Sequence, residues 1–250
     1  MTHLALVTGA GKRLGRAIAL RYARDGCDIA VHYRSSEAGA FAVVHEIEAM
    51  GRRAFAAGFD QSSETAVREG FAAIRVAFGR APNVLVNSAS VFEWDDIATT
   101  SEASLDRHFR ANLFGPVLLT RLVAEAAGED TRGLILNLLD QKLFNPNPDH
   151  LAYTLSKYAL QGFTTLMSRT LAPRFRVCAI APGLTLPGPG VEGDAFDAIH
   201  DRTPLQRGPD PEDIADAAAW LLGSPAVTGQ TIIVDGGAFM RPAARDVAFE

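Results

Sequence analysis

Asp140, Tyr153 and Lys157 are the side chains of this sequence best suited to moving protons. Lys157 follows Tyr153 by four positions, and side chains four apart on a helix project from one face, with about 5–6 Å between their Cβ atoms. A helix over 150–172 would therefore place an ammonium beside a phenol. Asp140 closes the apolar run 134–139, which is typical of a buried strand. Because α/β sheets bind ligands at the carboxyl ends of their strands, the pattern predicts a reaction centre, although an amphipathic helix and a surface aspartate would also produce it.

The three residue types indicate the class of reaction. A tyrosine phenol, with a reference pKa of about 10, is protonated at neutral pH and can donate a proton. We expect Lys157 to lower the pKa of Tyr153 by favouring the phenolate, which makes the phenol a better donor. An aspartate binds a carbonyl oxygen well only when protonated, and it is better suited to relaying a proton towards a ring nitrogen. Asp140 therefore favours a C=N substrate over a simple ketone.

Elements that could position these groups alternate along the whole chain. Strands are predicted at 4–7, 29–31, 54–59, 84–86, 133–139, 177–180 and 231–234. Helices are predicted at 12–25, 37–50, 63–78, 102–127, 150–172 and 211–222. This alternation predicts an α/β fold with one domain over 1–250, a doubly wound parallel sheet (Rossmann fold) with helices on both faces.

Two segments of this pattern are irregular. Pro116 is expected to bend the long helix 102–127, because proline disrupts a helix interior. Residues 184–209 are rich in glycine and proline, and we expect them to form a substrate loop that contains a short helix and closes like a lid.

Composition excludes several functions. The net charge of −5 gives no reason to expect nucleic acid or an acidic membrane as a partner. No apolar stretch reaches the roughly 20 residues that span a bilayer, and the N-terminus enters a strand without a leader, so we expect a cytoplasmic protein. The two cysteines lie in apolar surroundings and are interpreted as buried thiols. The histidines lack the spacing of metal ligands, so no metal site is expected.

The turn between the first strand and the first helix is suited to binding phosphate. Gly9 and Gly15 would let the backbone approach a phosphate at a helix N-terminus, where N–H groups are free. Arg13 stands where a second glycine is common, so the glycine pattern is incomplete and would also fit a plain structural turn. Its position as the first strand–helix junction of an α/β chain favours a nucleotide site.

The end of the second strand distinguishes between the two nicotinamide cofactors. An NAD site usually places an acid there for the ribose 2′-hydroxyl, whereas an NADP site places a base. Here Arg34 follows the strand and no acid appears before Glu37. Arg34 and Arg13 could each form a charge-assisted bond to the 2′-phosphate, worth roughly 1.5–3 kcal/mol. We therefore predict NADPH over NADH; the alternative is that Arg34 is only a solvated loop residue.

Together these motifs resemble the short-chain dehydrogenase/reductase family over nearly the whole chain. The motifs are Thr8-Gly9 with Gly15, Asp60, Asn87-Ser88-Ala89-Ser90, Asn112, Tyr153 with Lys157, Pro182-Gly183 and Asp235-Gly236-Gly237. The resemblance implies that the cofactor contacts Gly9, Lys12, Arg13, Leu14, Gly15, His32, Tyr33, Arg34, Ser35, Asp60, Asn87, Ser88, Ala89, Tyr153, Lys157, Pro182, Gly183 and Leu184. It also implies that Lys157 holds the nicotinamide ribose and that Asn112 supports a water chain behind it; a structural role for Asn112 near the bend is the alternative.

Two departures resemble the pteridine reductase branch of that family. Asp140 stands where most members have serine, and residues 8–15 match the pattern Thr-Gly-x-x-Lys-Arg-Leu-Gly. The resemblance implies that Phe92 stacks on a pterin and that Ser90, Asp140 and Tyr153 contact the substrate. Trp94 either extends the pocket or packs the loop.

The expected activity is NADPH-dependent reduction of a dihydropterin or dihydrofolate, as in pteridine or dihydromonapterin reductases. A reductase of carbonyl compounds such as 3-oxoacyl thioesters is the enzymatic alternative, and a non-catalytic NADPH-binding protein is the alternative from another class. Family members are commonly homotetramers that pair helices 102–127 and 150–172, and the apolar residues 238–240 could join that interface.

Overall fold

A parallel sheet forms the centre of the molecule. The computed structural model describes residues 2–188 and 191–249. In these ranges seven strands pair in the order β3-β2-β1-β4-β5-β6-β7, all parallel. The strands are β1 Leu4–Val7, β2 Asp28–Tyr33, β3 Ala54–Gly58, β4 Val84–Asn87, β5 Gly133–Leu138, β6 Phe175–Pro182 and β7 Thr231–Val234. The predicted doubly wound sheet is therefore confirmed.

Helices connect the strands and cover both faces of the sheet. They are α1 Arg13–Arg24, α2 Glu37–Ala49, α3 Glu64–Phe78, α4 Glu102–Phe109, α5 Gly115–Ala126, α6 Leu151–Thr170, α7 Asp194–Asp201 and α8 Pro211–Leu222. Helix and strand ends lie within two residues of those predicted, and α7 is the short helix expected inside 184–209. Residues 189 and 190 of that loop lie outside the described residues. No helix in the described ranges is long and apolar enough to cross a membrane.

The long helix 102–127 is interrupted before the proline expected to bend it. Residues Arg110–Phe114 form a π-helical segment between α4 and α5, and Pro116 lies in the first turn of α5. Proline has no N–H to offer the carbonyl of Asn112, four positions earlier, so the regular ladder cannot continue there. The irregularity therefore spreads over a wider turn that contains Asn112, and such turns occur frequently at functional sites.

Two apolar layers hold the helices against the sheet. On one face α1, α2 and α8 bury side chains such as Ile18, Ile47 and Leu221 against the strands. On the other face α3 and α5 bury side chains such as Ile74 and Leu119. Because both faces are covered, the central strands are apolar at almost every position, as parallel strands usually are.

The topology brings the ends of distant strands together. From β1 the chain continues to β2 and β3 on one side and to β4, β5 and β6 on the other. Ligands of open α/β sheets bind in the crevice at this switch point, beyond the carboxyl ends of the strands.

Candidate active site

A cavity of about 850 Å³ lies at this edge of the sheet. Its wall contains residues of the first turn, of the ends of β2, β4, β5 and β6, of α6 and of the C-terminal segment. The predicted site residues all lie in the described ranges, and the wall brings together all of them except Asn87 and Asn112.

The proposed acid–base residues meet where β5 ends beside α6. The Tyr153 hydroxyl donates a hydrogen bond to Asp140 Oδ2 over 2.7 Å. The other carboxylate oxygen, Oδ1, accepts from the main-chain N–H of Lys142 at 2.8 Å, which begins the short 3₁₀ turn Gln141–Phe144. Lys157 lies one helical turn after Tyr153, and its Nζ is 5.6 Å from the centre of the tyrosine ring. The predicted convergence of carboxyl, phenol and amine therefore exists.

The pKa of Tyr153 differs from the expectation. Burial raises the pKa of Tyr153 well above its ordinary value, and the charge and hydrogen bond of Asp140 raise it further. The expected lowering by Lys157 is therefore wrong for this structure. The cause is geometric, because Lys157 Nζ donates to the carbonyl oxygen of Leu138 over 2.7 Å, while the carboxylate of Asp140 contacts the phenol oxygen.

Asp140 and Lys157 are both shifted towards their neutral forms. Burial lowers the pKa of Lys157 to about 8, against the opposing charge of Asp140. Burial also raises the pKa of Asp140, although the hydrogen bonds from Lys142 and Tyr153 oppose the shift. A carboxyl group with a raised pKa beside a protonated phenol forms a pair that can pass a proton between two oxygens 2.7 Å apart.

Asn112 positions the loop after β4. Its Nδ2 donates to the carbonyl oxygen of Val91 and to Ser156 Oγ, each at 3.0 Å. Its Oδ1 accepts from the Val91 N–H at 2.8 Å and from Ser90 Oγ at 3.1 Å. These four bonds use the amide completely. Any role of Asn112 in a water chain would fall to its main chain, and that role stays a prediction.

Asn87 does not reach the cavity. It is 2% exposed, and its Nδ2 donates to Asn137 Oδ1 over 2.8 Å. Asn87 and Asn137 are partners in the register of β4 and β5, so their side chains project from the same face of the sheet. The Asn87 side chain therefore joins neighbouring strands, and its predicted contact with the cofactor stays a prediction.

The first turn is compact because its glycines leave no room for side chains. A Cβ on Gly15 would lie 2.5 Å from the carbonyl oxygen of Gly9. The Gly9 N–H donates to His32 Nδ1 at 3.1 Å, and His32 Nε2 bonds the Phe59 carbonyl oxygen at 2.9 Å. These partners require a neutral imidazole with its proton on Nε2. Accordingly, burial lowers the pKa of His32 to about 4.

The predicted phosphate-binding bases lie at the rim of the same turn. Arg34 is exposed, and Arg13 has a positive φ of 53° and donates to the Pro187 carbonyl oxygen at 3.2 Å. Glu37, the first acid after β2, accepts from the Tyr33 hydroxyl at 2.9 Å. Partial burial favours the neutral form of Asp60. Hydrogen bonds from Ser62 and the charge of Arg34 outweigh this effect and lower the pKa of Asp60.

The substrate side of the cavity contains aromatic rings. The Phe92 ring stacks on His150 with centroids 4.1 Å apart and meets Tyr153 edge-on at 4.7 Å. Trp94 Nε1 donates to Asp149 Oδ1 over 3.2 Å, and its ring also lines the cavity, so Trp94 both packs the loop and extends the pocket.

No group of three or more metal-binding side chains converges anywhere in the part of the chain that the structure describes. Cys27 and Cys178 are free and buried, as the sequence predicted.

Comparison with known proteins identifies the family. A family profile described as enoyl-(acyl carrier protein) reductase matches residues 9–238. The crystal structure of FolM alternative dihydrofolate reductase 1 from Brucella canis, complexed with NADP, shares 34% identity over 98% of this chain and 96% of its own, with a TM-score of 0.92. The 3-oxoacyl-[acyl-carrier-protein] reductase FabG of Staphylococcus epidermidis is 34% identical over 96% of this chain and its whole length. An oxidoreductase of Methylorubrum extorquens is 36% identical over 94% of this chain and 96% of its own length.

The chain belongs to the short-chain dehydrogenase/reductase family. FolM of Brucella suis, in complex with NADP, is also similar, with 34% identity and a TM-score of 0.91 over 98% of both chains. This similarity supports the pteridine reductase-like branch that residues 8–15 and Asp140 indicated.

Sequence reasoning missed part of the wall of this short-chain reductase. The missed residues include Lys142, His150, Asp246 and Phe249, together with Asp149, which lies outside the wall and bonds Arg245 of the C-terminal segment. Asp149 and Arg245 are 96 positions apart, and no spacing rule connects them. A signal was available only for His150, which is the first residue of the predicted helix 150–172.

Proposed function

We propose that this protein uses NADPH to reduce a C=N bond of a dihydropterin or dihydrofolate. The observation that carries the proposal is the 2.7 Å hydrogen bond from the Tyr153 hydroxyl to the Asp140 carboxylate. A carboxyl group paired with the acid can return a proton to it, which suits protonation of a ring nitrogen. The 34% identity to the two FolM proteins agrees with this reading.

The residues present fit NADPH. Gly9 and Gly15 form a close-packed turn that a Cβ would obstruct, and the turn leads into the N-terminus of α1, where anions bind. Arg34 is exposed beyond β2, and Glu37 is engaged by Tyr33, so the region offers a base for a 2′-phosphate. Lys157, buried below the cavity, would hold the nicotinamide ribose.

The chain supplies the proton in this reaction. When bound, NADPH would supply a hydride to the carbon of the C=N bond. Tyr153 keeps its proton at neutral pH because burial raises its pKa, and it donates this proton to the nitrogen. Asp140, whose pKa is also raised by burial, then passes a proton to the phenolate oxygen and regains one from solvent. The loop after β4, fixed by Asn112, holds Phe92 against the edge of Tyr153, where a flat ring could stack.

A second candidate is reduction of a 3-oxoacyl thioester or another carbonyl compound. The 34% identity to FabG supports it, since Tyr153 and Lys157 would serve both reactions. Asp140 weighs against it, because a carboxyl group binds a carbonyl oxygen well only while protonated, and it becomes ionised each time it gives up its proton. A non-catalytic NADPH-binding protein would have no use for the Tyr153–Asp140 contact.

A panel assay tests the proposal. NADPH oxidation is followed with dihydrobiopterin, dihydrofolate and a 3-oxoacyl thioester, with the Tyr153→Phe variant prepared in parallel to exclude a contaminating reductase. We expect the highest kcat/KM with the dihydropterin or dihydrofolate. A higher kcat/KM with the thioester would favour the carbonyl reductase, and binding of NADPH without turnover of any substrate would favour the non-catalytic protein.

We also propose a homotetramer that pairs the segment 102–127, which contains α4 and α5, and the helix α6. Exposed apolar side chains on and beside these helices, among them Phe114 and Leu166, are suited to an interface between copies. A sizing column tests this assembly, and elution as a monomer would contradict it.

A further inference from the structure

The C-terminal residues 245–249, here called the strap, return to the cavity and form part of its wall. Asp149 holds the strap in place. The guanidinium of Arg245 donates to both carboxylate oxygens of Asp149, at 2.8 and 2.7 Å, and the Asp246 N–H donates to Asp149 Oδ2 at 2.8 Å. Asp149 is 2% exposed, and the hydrogen bonds from Arg245 hold its pKa well below the ordinary value, so it stays ionised.

Aromatic contacts fix the far end of the strap on the substrate side. The Phe249 ring lies 6.2 Å from Trp94 and 6.3 Å from His150, measured between centroids, and Arg245 lies over it at 5.2 Å. His150 stacks on Phe92, which contacts Tyr153. The strap is therefore continuous with the aromatic wall of the reaction centre.

The strap also brings a second ion pair to the cavity. Asp246 Oδ2 and Lys142 Nζ are 3.2 Å apart, and both residues line the cavity. The Lys142 side chain is 4% exposed, whereas that of Asp246 is 18% exposed, so Asp246 is the more accessible member of the pair. The main-chain N–H of Lys142 donates a hydrogen bond to Asp140, the proposed proton relay. The ion pair is therefore linked through Lys142 to that residue.

We propose that Asp246 determines substrate specificity by accepting N–H hydrogen bonds from the edge of a flat nitrogen heterocycle, while Lys142 donates to a carbonyl oxygen on the same edge. A 2-amino-4-oxo ring presents an amine and a ring N–H beside a carbonyl, which is complementary to a carboxylate beside an ammonium. A 3-oxoacyl group has no N–H donors at its reacting end. This inference rests on the proposed function and extends it to the recognition of the substrate.

The Asp246→Asn variant tests this role, because it keeps the shape of the side chain and removes the charge. We expect the KM for dihydrobiopterin to rise about tenfold or more, with little change in kcat or in the KM for NADPH. Asp130→Asn makes the same chemical change on an exposed turn remote from the cavity and should leave every parameter unchanged. Asp246→Glu, which retains the carboxylate, should recover part of the loss. A KM for dihydrobiopterin unchanged by Asp246→Asn would overturn the inference while leaving the proposed function intact.

A binding measurement separates the two proposals if turnover is not observed. Affinity for biopterin is measured by calorimetry on protein saturated with NADP⁺. Tight binding that weakens about tenfold in Asp246→Asn would support recognition by the strap even if the wild type reduces no pterin. Absence of biopterin binding to the wild type, or equal binding by wild type and variant, would refute it.

Discussion

The two sides of the cavity are built in different ways. The phosphate-binding part of the cofactor side lies at one strand–turn–helix junction and the end of β2, so residues close in sequence such as Gly9, Gly15 and Arg34 form it. The substrate side is assembled from segments far apart in the chain, and polar contacts such as that of Asp149 with Arg245 join them. One side therefore depends on backbone geometry, and the other depends on long-range side-chain pairs. Substitutions on the first side should therefore affect cofactor binding, and substitutions on the second should affect substrate binding.

Tyr153 lies between the two sides, and its substitution should have the largest effect. Tyr153→Phe removes the proton donor but keeps the ring that Phe92 contacts. We expect kcat to fall by roughly 10²–10⁴-fold, because general acid catalysis contributes about that much. NADPH affinity, measured by fluorescence titration, and substrate KM should change little. A large loss of NADPH affinity would show that the two sides are not separable at this residue.

Substitution of Asp140 should have the second-largest effect. Asp140→Ala removes the acceptor of the Tyr153 hydroxyl, and we expect kcat with a dihydropterin to fall about 10²-fold while NADPH still binds. Asp140→Ser tests the chemistry more narrowly, because serine can hold the phenol but cannot relay a proton at neutral pH. Full dihydropterin reduction by Asp140→Ser would disprove the relay.

Arg34 tests the cofactor side alone. Arg34→Asp replaces the exposed base with an acid, and loss of one charge-assisted bond should reduce the preference for NADPH over NADH by about 10- to 150-fold. Dissociation constants for both cofactors provide the measurement. Arg75→Asp, the same charge reversal on the exposed side of α3, serves as the control and should leave the preference unchanged. An unchanged preference in Arg34→Asp would mean that other groups select the cofactor.

These contrasts explain which parts of the site the sequence could reveal. The fold and the turn at Gly9 were predictable because periodicity and glycine spacing act over neighbouring residues. The direction of the Asn87 side chain was not predictable, because its motif gives no direction and the register with Asn137 sets it. The pKa of Tyr153 was misjudged because helical spacing places Lys157 on the correct face but does not show that its Nζ donates a hydrogen bond to the Leu138 carbonyl oxygen. The contact of Asp149 with the strap depends on the complete fold.

The smallest predicted effect concerns His32, which makes the cofactor side sensitive to acid. Its pKa is about 4 in the folded protein against 6.5 for an ordinary histidine, because burial disfavours the charged ring. Above pH 6.5 the ring is neutral in both states and the full stability is present. As the pH falls from 6.5 towards 4, the unfolded chain binds a proton that the folded protein does not, so the free energy of unfolding falls.

Between pH 7 and pH 5 we expect His32 to account for about 2 kcal/mol of lost stability. Urea denaturation at the two pH values measures the loss, and His32→Asn should reduce it by that amount. His45→Asn, a change at an exposed histidine on α2, should reproduce the wild-type loss, while His3 contributes equally in all three proteins. The contact of Asp149 with Arg245 should not share this sensitivity, because the bonds from Arg245 keep Asp149 ionised over the same range. If His32→Asn lost as much stability as the wild type, the acid-sensitive contact would have to lie elsewhere than in the turn at Gly9.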